Sequence, residues 1–365
     1  MNQTDLDRLL GRLVEIGASD LHLKVGYAPR VRLNGELRLV GGEKGVEGED
    51  MEDLARSIMA ERNWTRFDQH FEVDFAYSVP NLGRFRVNAF RQRGTVSMVF
   101  RHVRPGTQSI ADLGLPDVVR RLADEQHGIV LVTGPTGSGK TTTLAAMIDH
   151  INNTRECHIV TIEDPIEVLH RDNLASVSQR EVGFDTESFL VALRSALRED
   201  PDVILVGEMR DPETVETALT AAETGHLVLS TLHTSDSVET INRIIDFFPP
   251  GQQRQARISL ASALRGTICQ RLIPTADGRS RVPALEIMVV NGRVQQCIVE
   301  PEHTSTIADI VAEGDYYGMQ TFAQSLSQLL QEGLIDLEGA LSAAPNSHDL
   351  RLALQRQGLA QAVLG

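Results

Sequence analysis

At 365 residues the chain exceeds the usual size of one domain, which implies two domains, each long enough to bury a core. Hydrophobic residues make up 41% and charged residues 23%, close to the averages of folded globular chains, which excludes disordered and collagen-like classes. The net charge of −15 is unevenly placed: residues 1–110 carry 16 basic and 15 acidic side chains, leaving 19 and 35 for the rest, a poor match for a nucleic-acid backbone. No run approaches 18 consecutive apolar residues, and the start Met1–Asp7 lacks the basic-then-apolar order of a signal peptide, so a cytoplasmic protein is expected. Cys157, Cys269 and Cys297 lie far apart with no Cys-x-x-Cys pair, which points to core thiols rather than a disulfide framework or structural zinc.

In chain order, Leu6, Leu9, Leu10, Leu13 and Val14 recur at helical spacing after Thr4, predicting an amphipathic helix capped by Thr4 with Asp7. From Asp20 to Leu39 the pattern becomes alternating, broken by Pro29 and Asn34-Gly35, as in strands joined by tight turns. A Gly- and acid-rich loop at 43–50, a short helix at 51–60 and strands at 71–79, 83–90 and 96–103 complete a small α+β domain over residues 1–103. The polar, Pro- and Gly-containing passage beginning at Arg104 marks a linker at 104–115. Beyond it, apolar strands at 129–133, 159–162, 203–206 and 227–232 alternate with helical patterns, predicting a mostly parallel sheet covered by helices on both faces across residues 116–300. The tail, 301–365, reads as helices at 307–311, 319–330 and 348–357, and no repeat of 20–50 residues is present.

Gly134, Pro135, Thr136, Gly137, Ser138, Gly139, Lys140 and Thr141 match the P-loop pattern, directly after an apolar strand and before a helix that continues through Thr142. The chemistry needs these types. Glycines let the backbone approach phosphate, the helix N-terminus offers N–H groups, Lys140 reaches β/γ-phosphates, and the Thr141 hydroxyl can bind Mg²⁺. The expected ligand is ATP with Mg²⁺. Only three lysines, Lys24, Lys44 and Lys140, stand against 32 arginines, so lysine at this place follows no general habit.

The strand 203–206 ends in Glu208, the expected Mg²⁺-side acid. The strand 159–162 ends in Glu163, Asp164 and Glu167; Glu163 is the first choice to orient and deprotonate a water, with the others available to pair arginines, and spacing alone does not rank them. His226 and His233 flank a further strand; His233 reads either as a structural hydrogen-bonder or as a γ-phosphate sensor at the edge shared with Glu163 and Glu208. Arg84, Arg86, Arg91, Arg93, Arg101 and Arg104 occur without an acid among them. They read as a solvated strand face, as arginines reaching the transferring phosphate, or as nucleic-acid contacts.

Together the P-loop, Ile162–Glu167, Ala196–Asp202, Val206–Asp211 and Ala221–Thr234 resemble the bacterial type II/IV secretion ATPases, most closely the type IV pilus retraction branch. Ala18–Leu23, Arg84–Phe90 and Gly318–Thr321 extend the resemblance over nearly the whole chain. It implies a PAS-like amino-terminal domain, a RecA-like P-loop ATPase domain with a helical tail, and a homohexamer driving pilus disassembly through an inner-membrane platform protein, peripheral to the membrane and independent of nucleic acid. It assigns Glu163 as catalytic base, Glu208 as the Walker B acid, His226 and His233 to one His-box, and, from their fifteen-residue separation, Arg86 and Arg101 to the phosphates. Pilus-extension and type II secretion ATPases carry a longer amino-terminal region and a tetracysteine zinc element that this sequence lacks. Retraction ATPases carry an Ala-Ile-Arg helix after Glu-Ile-Met; here Glu286-Ile287-Met288 is followed by Asn291–Glu300 and an expected extended loop before Gly318.

Overall fold

A computed structural model describes residues 1–33, 35–40, 45–103 and 106–356. Asn34 of the expected turn, residues 41–44 with Lys44, Arg104 at the start of the expected linker and the expected helix end at Gln357 lie outside the described residues. The chain divides into two compact units, Met1–Gly106 with Glu167–Leu169, and Thr107–Ile166 with His170–Gly365.

The first unit runs α1 (Gln3–Glu15), β1 (Asp20–Lys24), β2 (Arg30–Leu33), β3 (Glu36–Leu39), α2 (Gly48–Ile58), α3 (Glu61–His70), β4 (Glu72–Val79), β5 (Gly83–Gln92) and β6 (Thr95–Val103). Helix α1 buries Leu6, Leu9, Leu10 and Leu13, the spacing that predicted it. Its cap is corrected: the capping box uses Asn2 and Asp5, not Thr4 and Asp7, because the Asn2 side chain accepts from the Asp5 N–H at 3.0 Å and starts the helix earlier. Helix α3 escaped the sequence pattern because it fully buries only Asn63 and Phe67, with Trp64 partly buried beside them, too few to set an apolar period. The six strands form one antiparallel-paired sheet in the order β3-β2-β1-β6-β5-β4.

The second unit contains α4 (Asp117–Ala123), β7 (Gly128–Thr133), α5 (Lys140–Thr154), β8 (His158–Glu163), β9 (Ser176–Glu181), α6 (Phe189–Ala196), β10 (Val203–Val206), α7 (Pro212–Glu223), β11 (Leu227–Leu232), α8 (Ser237–Asp246), α9 (Gln253–Ala263), β12 (Leu264–Pro274), β13 (Arg281–Val289), α10 (Gly292–Val299), α11 (Ile307–Ala312), α12 (Phe322–Gln331), α13 (Leu337–Ala343) and α14 (Ser347–Arg356). Its sheet has the order β13-β12-β7-β11-β10-β8-β9 and is parallel except for β13. Alternate residues of β7 enter different cores: Ile129 and Leu131 pack with α6 to α9, Val130 and Val132 with α4 and α5. Burial on both faces is why these strands are continuous apolar runs. The segment expected as an extended loop before Gly318 instead forms α10 and α11 with short 3-10 turns, since Asn291 caps α10 and Val294, Cys297 and Ile298 face inward. The tail helices do not stand apart; Phe322, Leu326, Ala340, Leu350 and Leu354 pack with Cys269, Ile273 and Ala284 of the sheet.

Candidate active site

The parallel register brings several strand ends to one edge. Thr133 pairs with Leu232, Val206 pairs with Ser230 and with Ile162, so Gly134, His233, Glu208 and Glu163 all follow the carboxyl ends of adjoining strands. Ligands of open α/β sheets bind at this edge.

The cradle is shaped by three glycines in left-handed or related backbone, Gly134 (φ 141°), Gly137 (φ 79°) and Gly139 (φ 91°). Two are required by packing. A Cβ at Gly134 would lie 2.3 Å from the Gln270 carbonyl oxygen, and one at Gly139 would lie 2.7 Å from Gln270 Nε2. At Gly137 a Cβ would meet nothing within 4 Å, so this glycine borders open space. Gly139 is the N-cap of α5 without a side-chain cap, which leaves the first-turn N–H groups for an anion. Ser138 is buried and its Oγ lacks a partner among the described residues. Lys140 Nζ donates to the carbonyls of Gly134 at 2.8 Å and Pro135 at 3.1 Å. Burial pushes its pKa below the ordinary 10.5, and the nearby Glu208 carboxylate opposes that. Thr141 and Thr142 are exposed in the first turn, while the next residue, Thr143, is buried and donates to Gln270 Oε1 at 2.8 Å. Pro135 and Thr136 are exposed on the loop. An unpartnered buried hydroxyl, an uncapped helix start and an ammonium held by loop carbonyls suit a polyphosphate.

Glu208 pairs with Arg210 and lies 3.6 Å from His233 Nε2. The Glu208 hydrogen-bonded contact raises the Arg210 pKa, with Asp164 adding charge from nearby. Behind it Gly207 is fixed by its N–H on the Ile162 carbonyl at 2.8 Å and by the Thr231 hydroxyl on its own carbonyl at 2.6 Å. Glu163 Oε1 accepts from Thr161 Oγ1 at 2.6 Å and Gln179 Nε2 at 3.0 Å, which orient the carboxylate. Among the described residues no group of three or more His, Cys, Asp or Glu side chains could hold a metal alone. The donor set suits Mg²⁺ held jointly with phosphates and water, with the Thr141 hydroxyl and Glu208 on the protein side.

The family model for type II/IV secretion system proteins matches residues 4–332. The chain belongs to that family. Among relatives, a twitching motility protein of Neisseria gonorrhoeae is 45% identical over 322 residues, 88% of this chain and 86% of that protein. The type IV pilus retraction ATPase PilT of Pseudomonas aeruginosa is 45% identical over 340 residues, 93% of this chain and 98% of that one. A crystal structure of the pilus retraction motor PilT with bound ADP matches with a TM-score of 0.87 at 45% identity, covering 96% of this chain and 99% of that chain. The α/β ATPase fold is thus common to this secretion-family chain and PilT.

Two histidines that the sequence grouped are separated. His226 precedes β11 and its Nδ1 meets the Ala221 carbonyl at 2.9 Å at the end of α7, whereas His233 follows β11 at the cradle edge. Seven residue steps at about 3.3 Å each put roughly 23 Å between them. In the first unit, Arg86 and Arg101 are direct cross-strand partners on β5 and β6, so fifteen residues of separation becomes adjacency on one face. Arg101 Nε donates to Asp20 Oδ1 at 2.8 Å. Arg91 instead binds Glu52 at 2.7 Å and lies over the Phe67 ring, a structural role, and Arg93 sits in a turn. Glu167 falls in the first unit. Gln270 and Gln179 were missed by sequence reasoning because their relevance depends on strands pairing far apart in sequence, whereas Thr161 and Arg210 stand two residues from Glu163 and Glu208, a local spacing that carries no motif of its own.

Beside the cradle, on the β12 side away from Glu208, lies a cleft of about 690 Å³ bordered by Pro135 to Ser138, Arg271 to Thr275, Asp336, Glu338 and Ala343. Arg271 Nη1 donates to the Ala343 carbonyl at 2.7 Å and lies over the Phe322 ring, tying α13 to this wall.

Proposed function

We propose that the chain is a homohexameric ATPase motor that powers type IV pilus retraction and twitching motility. It works at the cytoplasmic face of the inner membrane on a platform protein and handles no nucleic acid. The observation that carries this is the convergence of Lys140, Glu208, His233 and Glu163 at one sheet edge, in a chain 45% identical to PilT along 93% of its length. No described helix is long and apolar enough to cross a membrane, which accords with attachment through a partner.

In this reading the first unit is a PAS-like module over residues 1–103, joined by a 104–115 linker to a RecA-like ATPase domain whose core ends near 300 and whose helical tail follows. Residues Gly134 to Thr142 hold the phosphates of ATP, with Lys140 on the β/γ groups. The cleft on the β12 side gives room for the nucleoside end, because Glu163 and Glu208 follow β8 and β10 on the opposite flank of β7. Thr141 and Glu208 hold Mg²⁺, which when bound neutralises charge on the phosphate oxygens. Glu163, aimed by Thr161 and Gln179, orients the attacking water and takes its proton. His233, beside Glu208, senses the γ-phosphate. Arg86 and Arg101 supply positive charge to the transferring group, as an arginine finger does.

Glu163→Gln tests the motor. The variant keeps one oxygen to accept from both Thr161 and Gln179, so ATP binding should persist while turnover falls by about 10²–10⁴. A deletion strain should carry excess surface pili and fail to twitch, and the variant should not rescue it. Wild-type turnover or restored twitching would overturn the reading; bald cells on deletion would place the chain in pilus extension instead.

A further inference from the structure

A cavity in the first unit takes no part in this chemistry. Leu21 and Leu23 of β1, Val87 and Ala89 of β5, and Met98 and Phe100 of β6 face the apolar core. Strand alternation puts His22, Lys24, Phe90, Ser97 and Val99 on the opposite face. The register sets them side by side: His22 opposite Val99, Lys24 opposite Ser97, and Ser97 opposite Phe90. Over them opens a cavity of about 310 Å³, within the size range of small-molecule sites.

Its lining has an unusual polarity. Ser97 is only 3% exposed, and its Oγ and His22 Nε2 are both buried without a hydrogen-bond partner among the described residues. Native structures rarely leave such atoms unsatisfied without a reason. Lys24 and Arg30 line the cavity and, among the described residues, no Asp or Glu does, in a chain with 50 acidic side chains and only three lysines. Lys24 Nζ sits 4.7 Å from the centroid of the Tyr27 ring, which holds the ammonium beside the opening. The rest of the lining is mostly apolar, with Tyr27, Leu37, Phe90 and Val99, and Gln92 adds one further polar side chain. Burial lowers the His22 pKa below 6.5 against the pull of Asp20, so a neutral ring faces the cavity at pH 7 and can donate through Nε2.

We propose that this cavity binds a small organic carboxylate with a short apolar body, its charge met by Lys24 and Arg30, its oxygens by Ser97 Oγ and His22 Nε2, and its body by Phe90, Val99 and Leu37. The site shares no residue with the nucleotide cradle. A cationic rim over an apolar wall discriminates against a neutral chain and against a bare anion, since each satisfies only half of the lining.

Calorimetric titration of the full-length protein, saturated with ADP and Mg²⁺, tests this with octanoate and 3-phenylpropionate as probes. One carboxylate per chain should bind, with 1-octanol and acetate at least about tenfold weaker, a difference near 1.4 kcal/mol. Lys24→Met and Ser97→Ala should each weaken octanoate about tenfold, as loss of a hydrogen bond to a charged group does, while ATP turnover without octanoate stays at the wild-type level. Three results would each overturn the proposal: neither probe binding tighter than about 1 mM, octanol binding as well as octanoate, or both variants keeping wild-type affinity.

Discussion

Alanine at each cradle glycine separates what the fold demands from what a ligand demands. At Gly134 the new Cβ would sit 2.3 Å from the Gln270 backbone oxygen, at a φ of 141°. Gln270 cannot retreat cheaply, because the residue before it, Cys269, is paired to Thr133 in the parallel ladder. Overpacking at about 1–3 kcal/mol and backbone strain of about 1–3 kcal/mol together cost roughly 2–6 kcal/mol. At Gly139 the clash is with the Gln270 side chain, which moves only by giving up its bond from Thr143. That bond, about 1 kcal/mol, and left-handed strain of about 1–2 kcal/mol give roughly 2–3 kcal/mol. Gly137→Ala meets open space and pays only the strain, about 1–2 kcal/mol. Thermal melts should therefore rank Gly134→Ala lowest, then Gly139→Ala, then Gly137→Ala nearest wild type. ADP titration should nonetheless find Gly137→Ala weakened by at least about tenfold, since under the proposed phosphate seat on this loop the methyl enters space that no protein atom fills. Wild-type ADP affinity in Gly137→Ala, or a melt as high for Gly134→Ala as for Gly137→Ala, would refute this geometry.

Arg86→Ala and Arg101→Ala should both depress ATP turnover far more than nucleotide affinity if they act on the transition state; equal losses of both would indicate simple phosphate binding. They should differ in stability, because only Arg101 binds the buried Asp20. Burial alone would raise Asp20, but Ser19 and Arg101 hold its folded pKa below 3.8, so its stabilisation is complete above pH 3.8 and lost as the pH falls through the folded value. Chemical denaturation should accordingly find Arg101→Ala, and not Arg86→Ala, destabilised by about 1–3 kcal/mol at pH 7. Glu286 presents the opposite sign: burial raises its pKa above 4.5 although the Ser237 N–H and hydroxyl both bind Oε1, so its carboxylate costs stability as the pH rises from 4.5. Glu286→Gln should raise the melting temperature at pH 7 and lose that advantage near pH 4. Finally, His233→Ala should slow ATP turnover, whereas His226→Ala should chiefly loosen the end of α7; equal kinetic defects would contradict their separation across β11.

Local spacing was enough to find the elements whose signals are local. The leucines of α1 recur at 3.6 residues, and β7, β8, β10 and β11 are buried on both faces and so appear as unbroken apolar runs. The glycines and Lys140 were readable for the same reason, since backbone conformation and helix start are set within a few residues. Helix α3, strand β9 and the β12–β13 pair were not, because α3 buries too few apolar side chains and β9 alternates polar residues beside β8.

Sequence alone determined that Gly134, Glu163, Glu208 and His233 stand at the ends of apolar strands and that Lys140 opens a helix. Tertiary structure decided their company. The order β7-β11-β10-β8 set His233 near Glu208 and moved His226 to the far end of its strand. The β5–β6 register turned Arg86 and Arg101 into neighbours, and β12 carried Gln270 against two cradle glycines. These contacts join residues from 15 to more than 100 positions apart. Which pairs form is decided by strand register and by which faces bury together, quantities that no local period encodes.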